Sequence, residues 1–486
     1  MTVPDFLKND RAAILALIAL YLALRLPLLL YLPLVQDEAV YSVMLASGPS
    51  VIPTFLGHPV AWKPPLFFYV YSPLYHLISS LAPAVQPEFA LRLPSLLFGL
   101  LTVPPLFMLL RRCGFSRGHA SLTIFAFLVS MPSLYPDDAL LTDPLMFFLA
   151  VCSLYLYSSD KPLLAGAVSF LAFFTKLAVA SIIPLLALAY VYTYRRGSIR
   201  DPVFLLSLCA VPAAILLNFA LFQSAGLGGE QYSDYVLNLL LSNGLHDQLL
   251  RLLGSFSTLL SGAGVWFVLS LIGFRSSWKE SPFMSVWYCL TLFPLLSASG
   301  MPWYYLPVMP AIAHFAVLPL IRWKGKEDIG PLASVMLLSA AVFSLFMVSQ
   351  SYLALQQDFS AYRTAGLMLA GKGSALIIGD FCPSVVAYKT LMEAGNEKDF
   401  GWILSQEADD RTIQTFTKDY MSDDPRVVDG SFSRMYVDHG SIFRKDSSLR
   451  SFGMVAVCGN HSLPSLGDPV FGGTGVKVYS LAQGGP

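Results

Sequence analysis

The sequence predicts a mainly α, polytopic membrane protein with a small α/β domain at its C-terminus. Hydrophobic residues make up 55% of the 486 residues, charged residues make up only 13%, and the mean hydropathy is +0.61. A soluble domain carries about 25% charged residues. Apolar runs of about 18 residues, the length of a membrane-spanning helix, recur along the chain. These observations exclude a soluble enzyme, a disordered protein and a disulfide-rich secreted module, and the continuity of the runs excludes an outer-membrane barrel.

Eleven apolar runs predict a bundle of about eleven transmembrane helices. The first run is longer than a signal-peptide core, and no small-residue cleavage site follows it, so we expect it to be retained. The predicted spans are 12–35, 91–110, 119–135, 141–157, 163–176, 178–194, 203–222, 253–273, 282–299, 303–321 and 331–350.

The segment 64–84 is also apolar, but charge bias argues against a twelfth span. With eleven spans, every cluster of basic residues falls on the cytoplasmic side, as the positive-inside rule requires. If 64–84 crossed the membrane, the later clusters would lie on the opposite side. Three of its prolines, Pro64, Pro65 and Pro73, are also expected to interrupt a helix. We therefore predict that 64–84 lies at the outer interface, and that 227–252 forms an amphipathic outer-loop helix.

Charge density predicts two domains. Residues 1–352 contain 19 basic and 16 acidic side chains, whereas the much shorter segment 353–486 contains 12 and 15. We predict a membrane domain over 1–352 and an extracytoplasmic α/β domain over 353–486, with strands near 374–378, 454–457 and 476–479. The net charge of zero gives no support to a nucleic-acid partner. Cys382 and Cys458 are the only cysteines of this tail, either bridged or free.

Ionisable residues converge on the predicted outer face. Carboxylates can activate a hydroxyl or hold a divalent metal ion, and lysine or arginine can hold a phosphate. Near a bilayer such residues are candidates for function. This pattern predicts an outward-facing site for a phosphate-bearing membrane lipid. The acidic residues clustered on this face are Asp37, Glu38, Asp137, Asp138 and Asp143, and the basic residues there or at the membrane boundary are Lys63, Arg92, Lys176 and Arg251.

Seven segments in order resemble the motifs of GT-C glycosyltransferases, in particular the protein O-mannosyltransferases and the aminoarabinose transferases of lipid A. QDEAVYSVMLASG resembles the DEA-x-Y segment after the first helix, and DDALLTDPLMFFL the second acidic motif. In LAFFTKLAVASIIPLL, Leu177 replaces the usual glycine after the lysine. The other similar segments are GHPVAWKPPLFFYV, FALRLPSLLFGLLTV, MPWYYLPVMPAIA and, in the tail, ALIIGDFCPSVVAY.

The resemblance implies that a sugar passes from a polyprenyl-phosphate carrier to an acceptor on the outer side of the membrane, with inversion. Asp37 matches the general base, and Glu38 and Asp143 would position it, the acceptor or a divalent ion. The implied phosphate and substrate contacts are Lys63, Lys176, Arg92 and Asp138. Tyr304 and Tyr305 line the carrier or sugar path, or are interfacial aromatics. The donor sugar, the acceptor and the identity of any metal stay open.

Two other functions are alternatives to sugar transfer. A transporter or flippase of lipid-linked saccharides would show a repeated pair of broken helices near the midplane, and no such internal symmetry is present. A non-enzymatic subunit of a membrane complex would be expected to lack an acidic motif, yet both are present. His58, His76 and His246 are isolated, so each is either a metal ligand or a loop or packing residue.

Overall fold

The protein was described from a computed structural model. The structure describes residues 9–29, 33–34, 36–46, 53–55, 58–59, 64–82, 85–137, 139–176, 182–224, 245–298, 302–324, 330–370, 375–378, 383–392, 400–403, 454–458, 468–473 and 475–480. Its contacts divide the chain into two units. The first contains Met1–Leu30, Trp62–Phe67 and Arg92–Ser351, and the second contains Tyr31–Ala61, Phe68–Leu91 and Tyr352–Pro486.

Helices dominate the described residues and follow the apolar runs. Two short 3₁₀ segments, Arg196–Arg200 and Pro302–Val308, lie between them. The α-helices are α1 (Asp10–Leu29), α2 (Gln36–Ala46), α3 (Leu66–Leu81), α4 (Pro87–Arg112), α5 (Arg117–Leu128), α6 (Met131–Asp137), α7 (Asp143–Ser158), α8 (Pro162–Phe173), α9 (Ile183–Tyr194), α10 (Pro202–Leu208), α11 (Ala210–Ser224), α12 (Leu245–Ala263), α13 (Val265–Ser277), α14 (Pro282–Ala298), α15 (Met309–Lys324), α16 (Gly330–Leu369) and α17 (Pro383–Met392).

Within the described ranges, four helical stretches are long and apolar enough to cross a membrane. They are Pro87–Arg112, Pro202–Leu221, Tyr304–Arg322 and Ala333–Leu369, and a bent helix pair would make a fifth. Four further helices are apolar but have only 10–17 residues. The membrane character of the chain is therefore supported, whereas the count of eleven spans stays a prediction.

One predicted span, 119–135, is two helices. The α5 helix ends at Leu128, and α6 begins at Met131. Ending a helix leaves carbonyl groups without a helical partner. Arg25 of α1 is fully buried, and its Nη2 donates to the carbonyl oxygen of Leu128 at 3.3 Å and to Ser133 Oγ at 2.9 Å. The break is thus stabilised by a charged side chain from a distant part of the sequence.

A second predicted span, 253–273, is also broken. Helix α12 ends at Ala263 and α13 starts at Val265, and the two axes meet at 102°. Gly264 between them has φ +52°, a left-handed conformation that glycine adopts at low cost. The predicted span 203–222 likewise divides at Cys209 into α10 and α11. The outer-loop helix predicted over 227–252 is described only from Leu245 onward.

The expectation that prolines interrupt 64–84 is wrong for Pro73. Helix α3 begins directly after Pro64 and Pro65 and continues through Pro73 for 16 residues. Packing offsets the lost hydrogen bond, because Phe68 and Tyr71 are buried. Sixteen helical residues extend about 24 Å, less than the roughly 30 Å of a bilayer core. Whether α3 spans stays a prediction.

In the first unit, the closest helix packing joins α13 and α15. A Cβ atom added at Gly273 would lie 1.8 Å from the carbonyl oxygen of Phe315, so only glycine fits at this crossing. Helices α7 and α8 form an antiparallel pair joined by a short turn. Ser153 Oγ of α7 lies 2.6 Å from Ser169 Oγ of α8 and donates to the carbonyl oxygen of Ala165 at 2.9 Å.

The second unit contains a five-stranded sheet with the order β4-β3-β5-β7-β6. Strand β3 is parallel to β4 and β5, while β7 is antiparallel to β5 and β6. The three strands predicted in the tail are present. A separate two-stranded hairpin joins β1 and β2. The strands are β1 (Thr54–Phe55), β2 (His58–Pro59), β3 (Ala375–Ile378), β4 (Phe400–Ile403), β5 (Met454–Cys458), β6 (Phe471–Gly473) and β7 (Val476–Ser480).

The predicted domain boundary at 352/353 falls inside a continuous helix. Helix α16 has 40 residues, or about 60 Å, and runs through this position. The unit that contains the tail also contains the loop segment 31–61. Cys458, on the central strand β5, is disulfide-bonded, and Cys382 lies outside the described residues. The four cysteines outside the tail, Cys113, Cys152, Cys209 and Cys289, are free thiols.

Candidate active site

A buried ion pair joins two of the predicted site residues in the first unit. Lys176 Nζ donates to Asp143 Oδ1 at 2.7 Å and to Oδ2 at 2.9 Å. The Asp143 side chain is 2% exposed and that of Lys176 is 16% exposed. The ammonium therefore does not face lipid alone, and two of its three N–H groups are engaged by one carboxylate.

The helix pair α7–α8 brings these two residues together. Asp143 is the first residue of α7 and precedes a proline, the residue favoured at the start of a helix. Lys176 follows the end of α8 by three residues. Because α7 and α8 are antiparallel and joined by a short turn, the start of one lies beside the end of the other. A carboxylate at a helix N-terminus is also stabilised by the helix dipole.

Aromatic residues of the Pro302–Val308 segment close over the pair. Lys176 Nζ lies 4.3 Å from the ring centroid of Tyr304, within the range of a cation–π contact. Tyr305 is fully buried, and its hydroxyl donates to the carbonyl oxygen of Ser255 at 2.7 Å. Trp287 Nε1 donates to the carbonyl oxygen of Pro307 at 2.8 Å. Tyr305 and Trp287 thus fix the segment that places Tyr304 over the lysine.

The first unit also contains an apolar cavity. It is lined by side chains of α7, α9 and α14 and by Pro307. Met146 in its wall is one helical turn after Asp143, and Pro307 is three residues after Tyr304. Asp143, Lys176 and Tyr304 do not themselves line the cavity.

The other acidic motif lies in the second unit, on the first turn of α2. Glu38 is buried with 2% of its surface exposed, while Asp37 is partly exposed. Both carboxylates lie where the helix dipole favours negative charge. The structure thus describes Asp37 and Glu38 in one unit, and Asp143, Lys176 and Tyr304 in the other.

Of the remaining predicted site residues, one is fully buried and two lie outside the described residues. Arg92 of α4 is fully buried, so its guanidinium presents no surface to a substrate in this conformation. Lys63 and Asp138 lie outside the described residues. Among the described His, Cys, Asp and Glu side chains, no group of three could hold a metal ion. His76 is exposed on α3, and the side chains of His58 and His246 lie outside the described part.

Two tail residues that the sequence reasoning missed contact the chain just before Asp37. Ser384 and Tyr388 of α17 hydrogen-bond to the backbone of Leu34, within the second unit. Their spacing of four residues places them on one face of a helix, and this was the signal available in the sequence.

Comparison with known proteins agrees with the predicted resemblance. Residues 38–194 match the family model of dolichyl-phosphate-mannose-protein mannosyltransferases. This region contains Glu38, Arg92, Asp143 and Lys176. No curated protein sequence matches the chain.

The fold is similar to that of solved structures of ArnT and of an archaeal oligosaccharyltransferase. ArnT from Cupriavidus metallidurans, in a crystal structure bound to undecaprenyl phosphate, aligns with a TM-score of 0.64 and 16% identity, over 97% of this chain and 99% of ArnT. The oligosaccharyltransferase of Archaeoglobus fulgidus aligns with a TM-score of 0.53 and 11% identity, over 92% of this chain and 68% of that protein. The predicted resemblance to GT-C enzymes is confirmed, and the fold is that of ArnT.

Proposed function

We propose that the chain is a polyprenyl-phosphate-sugar-dependent glycosyltransferase of the membrane. It moves a sugar to a hydroxyl acceptor on the outer side, with inversion. The observation that carries this proposal is the match of residues 38–194 to the mannosyltransferase family model, which begins one residue after Asp37 and covers Glu38, the second acidic motif and Lys176. The undecaprenyl phosphate bound to ArnT supports a polyprenyl carrier.

In the proposed reaction, Asp37 is the general base. Its carboxylate takes the proton of the acceptor hydroxyl as that oxygen bonds to the anomeric carbon. The bond from the anomeric carbon to the phosphate oxygen breaks, and polyprenyl phosphate leaves with the bonding electrons. Base assistance of this kind contributes about 10²–10⁴-fold to the rate.

Lys176 is proposed to donate to the phosphate of the leaving group. Two of its N–H groups are held by Asp143, which leaves a third for a phosphate oxygen. Asp143 thus orients the ammonium group of Lys176. A hydrogen-bond donor that is fixed in advance stabilises the charge that develops on a leaving group better than a mobile one. Lys63 is the second proposed phosphate ligand, whereas the full burial of Arg92 does not favour a direct contact between its guanidinium and the phosphate.

None of the proposed steps uses a metal ion. Both carboxylate oxygens of Asp143 accept hydrogen bonds from an ammonium group, which competes with a cation for the same lone pairs. Whether a divalent ion binds at Asp37 and Glu38 is an open question. It is tested by measuring the rate of sugar transfer in the presence of excess chelator.

The predicted extracytoplasmic position of the tail is part of the proposal. It rests on the charge bias of the loops. The disulfide at Cys458 supports it, since disulfides persist in oxidising compartments.

The test is release of polyprenyl phosphate from a panel of synthetic polyprenyl-phosphate sugars, using purified protein in proteoliposomes. Asp37→Asn keeps the side-chain volume and removes the base, so we expect a loss of about 10²–10⁴-fold. Asp160→Asn is the matched control, because Asp160 is an exposed carboxylate at the turn between α7 and α8. An Asp37→Asn variant with more than about a tenth of the wild-type rate contradicts the base assignment. Donor that crosses the bilayer without being cleaved indicates a flippase.

The acceptor requires a second experiment. Mass spectrometry of the glycans, glycolipids and glycoproteins of a deletion strain should reveal one class of conjugate that lacks a sugar. If every class is unchanged, the proposed transfer does not occur in that cell.

A further inference from the structure

Helix α17 of the tail holds the backbone that leads into α2. The Leu34 N–H donates to the Tyr388 hydroxyl at 2.8 Å, and the Ser384 hydroxyl donates to the Leu34 carbonyl oxygen at 3.0 Å. All three residues are at most 1% exposed. Both polar groups of one buried residue are therefore satisfied by two side chains of the same helix.

This contact restricts the position of Asp37. Leu34 precedes the first residue of α2 by two positions and Asp37 by three. Helix α2 also packs along α17. A buried backbone group without a partner is destabilising, so the two hydrogen bonds favour one path of the chain into α2. The path of the chain in turn sets where the first-turn carboxylates of α2 lie.

Tyr388 is itself held by α16 and α4. A Cβ atom added at Gly366 of α16 would lie 2.6 Å from Tyr388 Cβ, so this glycine allows the two helices to approach closely. The Arg363 guanidinium carbon lies 5.7 Å from the centroid of the Tyr388 ring. Its Nε donates at 2.7 Å to Oε1 of Glu88, which is buried. The tyrosine thus packs against α16, and the Arg363 side chain that contacts its ring is held by Glu88 of α4.

We infer that Ser384 and Tyr388 are positioning residues of the transfer reaction, which orient Asp37 through the backbone of Leu34. This inference rests on the proposed function, in which Asp37 is the base. A base must lie within hydrogen-bond reach of the proton that it removes, and a displacement of about 1 Å can cost 10²-fold in rate. Neither residue is proposed to contact a substrate.

The decisive variant is Tyr388→Phe, which keeps the buried ring and removes only the hydroxyl. We expect kcat to fall about 10- to 100-fold with an unchanged KM for the donor, because a misplaced base affects the chemical step and not donor binding. Ser384→Ala is the milder variant and should lower kcat in the same direction. Tyr479→Phe, the same change at a buried tyrosine of β7, is the control and should keep the wild-type kcat.

A double variant separates positioning from a general loss of structure. In the Asp37→Asn background, Tyr388→Phe should cause no further loss, because no base remains to be positioned. A merely structural role would lower the residual rate again and would also raise the donor KM.

The outcomes distinguish this inference from the proposed function. If Asp37→Asn is inactive while Tyr388→Phe and Ser384→Ala both keep the wild-type kcat, the inference is wrong and the base assignment stands. If Asp37→Asn retains its activity, the base assignment itself fails. If Tyr388→Phe does not fold, Ser384→Ala and its combination with Asp37→Asn decide the question by the same criteria.

Discussion

The ion pair between Asp143 and Lys176 gives the sharpest test of the first unit. Replacing Lys176 with methionine keeps most of the side-chain length and removes the ammonium. The carboxylate of Asp143, 2% exposed, would then be buried without its cation. We expect a large loss of stability that a second substitution, Asp143→Asn, should largely restore.

The magnitude follows from the burial of the two partners. Removing one partner of a buried pair costs about 3–5 kcal/mol, whereas replacing both is often close to neutral. The Lys176 side chain is 16% exposed, so the lower half of this range applies. The coupling free energy between the two positions should therefore be about 3–4 kcal/mol. Surface pairs, by comparison, contribute about 0–1 kcal/mol.

The assay is the free energy of unfolding in mixed detergent micelles for the wild type, both single variants and the double variant. Sugar transfer is measured on the same four proteins. The double variant should be stable but should use the donor poorly, because the N–H proposed to contact phosphate is gone. The pair behaves as a surface pair if Lys176→Met lowers the free energy of unfolding by less than about 1 kcal/mol and if the effects of the two substitutions on that free energy are additive. This result would contradict the reasoning from a buried pair. If the stable double variant transfers sugar at the wild-type rate, Lys176 has no part in donor use.

Two further predictions concern packing and topology. Gly273→Ala should lower the free energy of unfolding by about 3 kcal/mol or more, since its Cβ would overlap the Phe315 carbonyl oxygen at 1.8 Å. Gly254→Ala, with nothing within 4 Å, is the control for the unfolding measurement and should be neutral or stabilising. Single cysteines at Leu66 and Ser80, at the two ends of α3, should both react with a membrane-impermeant reagent added from outside. Labelling of position 80 only from the cytoplasm would mean that α3 spans, and would invert the predicted sides of all later loops.

The sequence predicted where the helices lie better than where they end. Hydropathy is a local property, so the apolar runs could be read directly. The break between α5 and α6 depends on Arg25, which lies 103 residues from Leu128 in sequence and still satisfies its carbonyl oxygen. The break at Gly264 follows from a left-handed backbone conformation, and a glycine alone does not reveal whether it adopts one. Such breaks depend on tertiary contacts that a hydropathy pattern does not contain.

The candidate site could be predicted in part. Lys176 was identified because a lysine on the predicted outer side departs from the positive-inside rule, which indicates a functional role. Asp143 was identified because it is an acidic residue at the start of an apolar helix. The ion pair between them was not predicted, although the order of the helices would have allowed its prediction. Two helices joined by a short turn are antiparallel, so the start of the first and the end of the second must lie at the same level. The cover by Tyr304 could not be predicted, because it depends on the anchoring of Tyr305 to a backbone carbonyl 50 residues earlier.

The link between Leu34 and α17 shows that the unit with the tail also contains a segment near the N-terminus, which composition alone does not predict. Charge density separates the tail at 352/353, yet hydrogen bonds join Leu34 to residues 350 and 354 positions later in the chain. The four-residue spacing of Ser384 and Tyr388 places both on one face of a helix, but it does not reveal that this face contacts the backbone of Leu34. Because the segment with Asp37 and the tail share one unit, a change in the tail can reach the proposed base without touching a substrate. Tail variants that lower kcat should therefore be tested for coupling to Asp37 before they are assigned to acceptor binding.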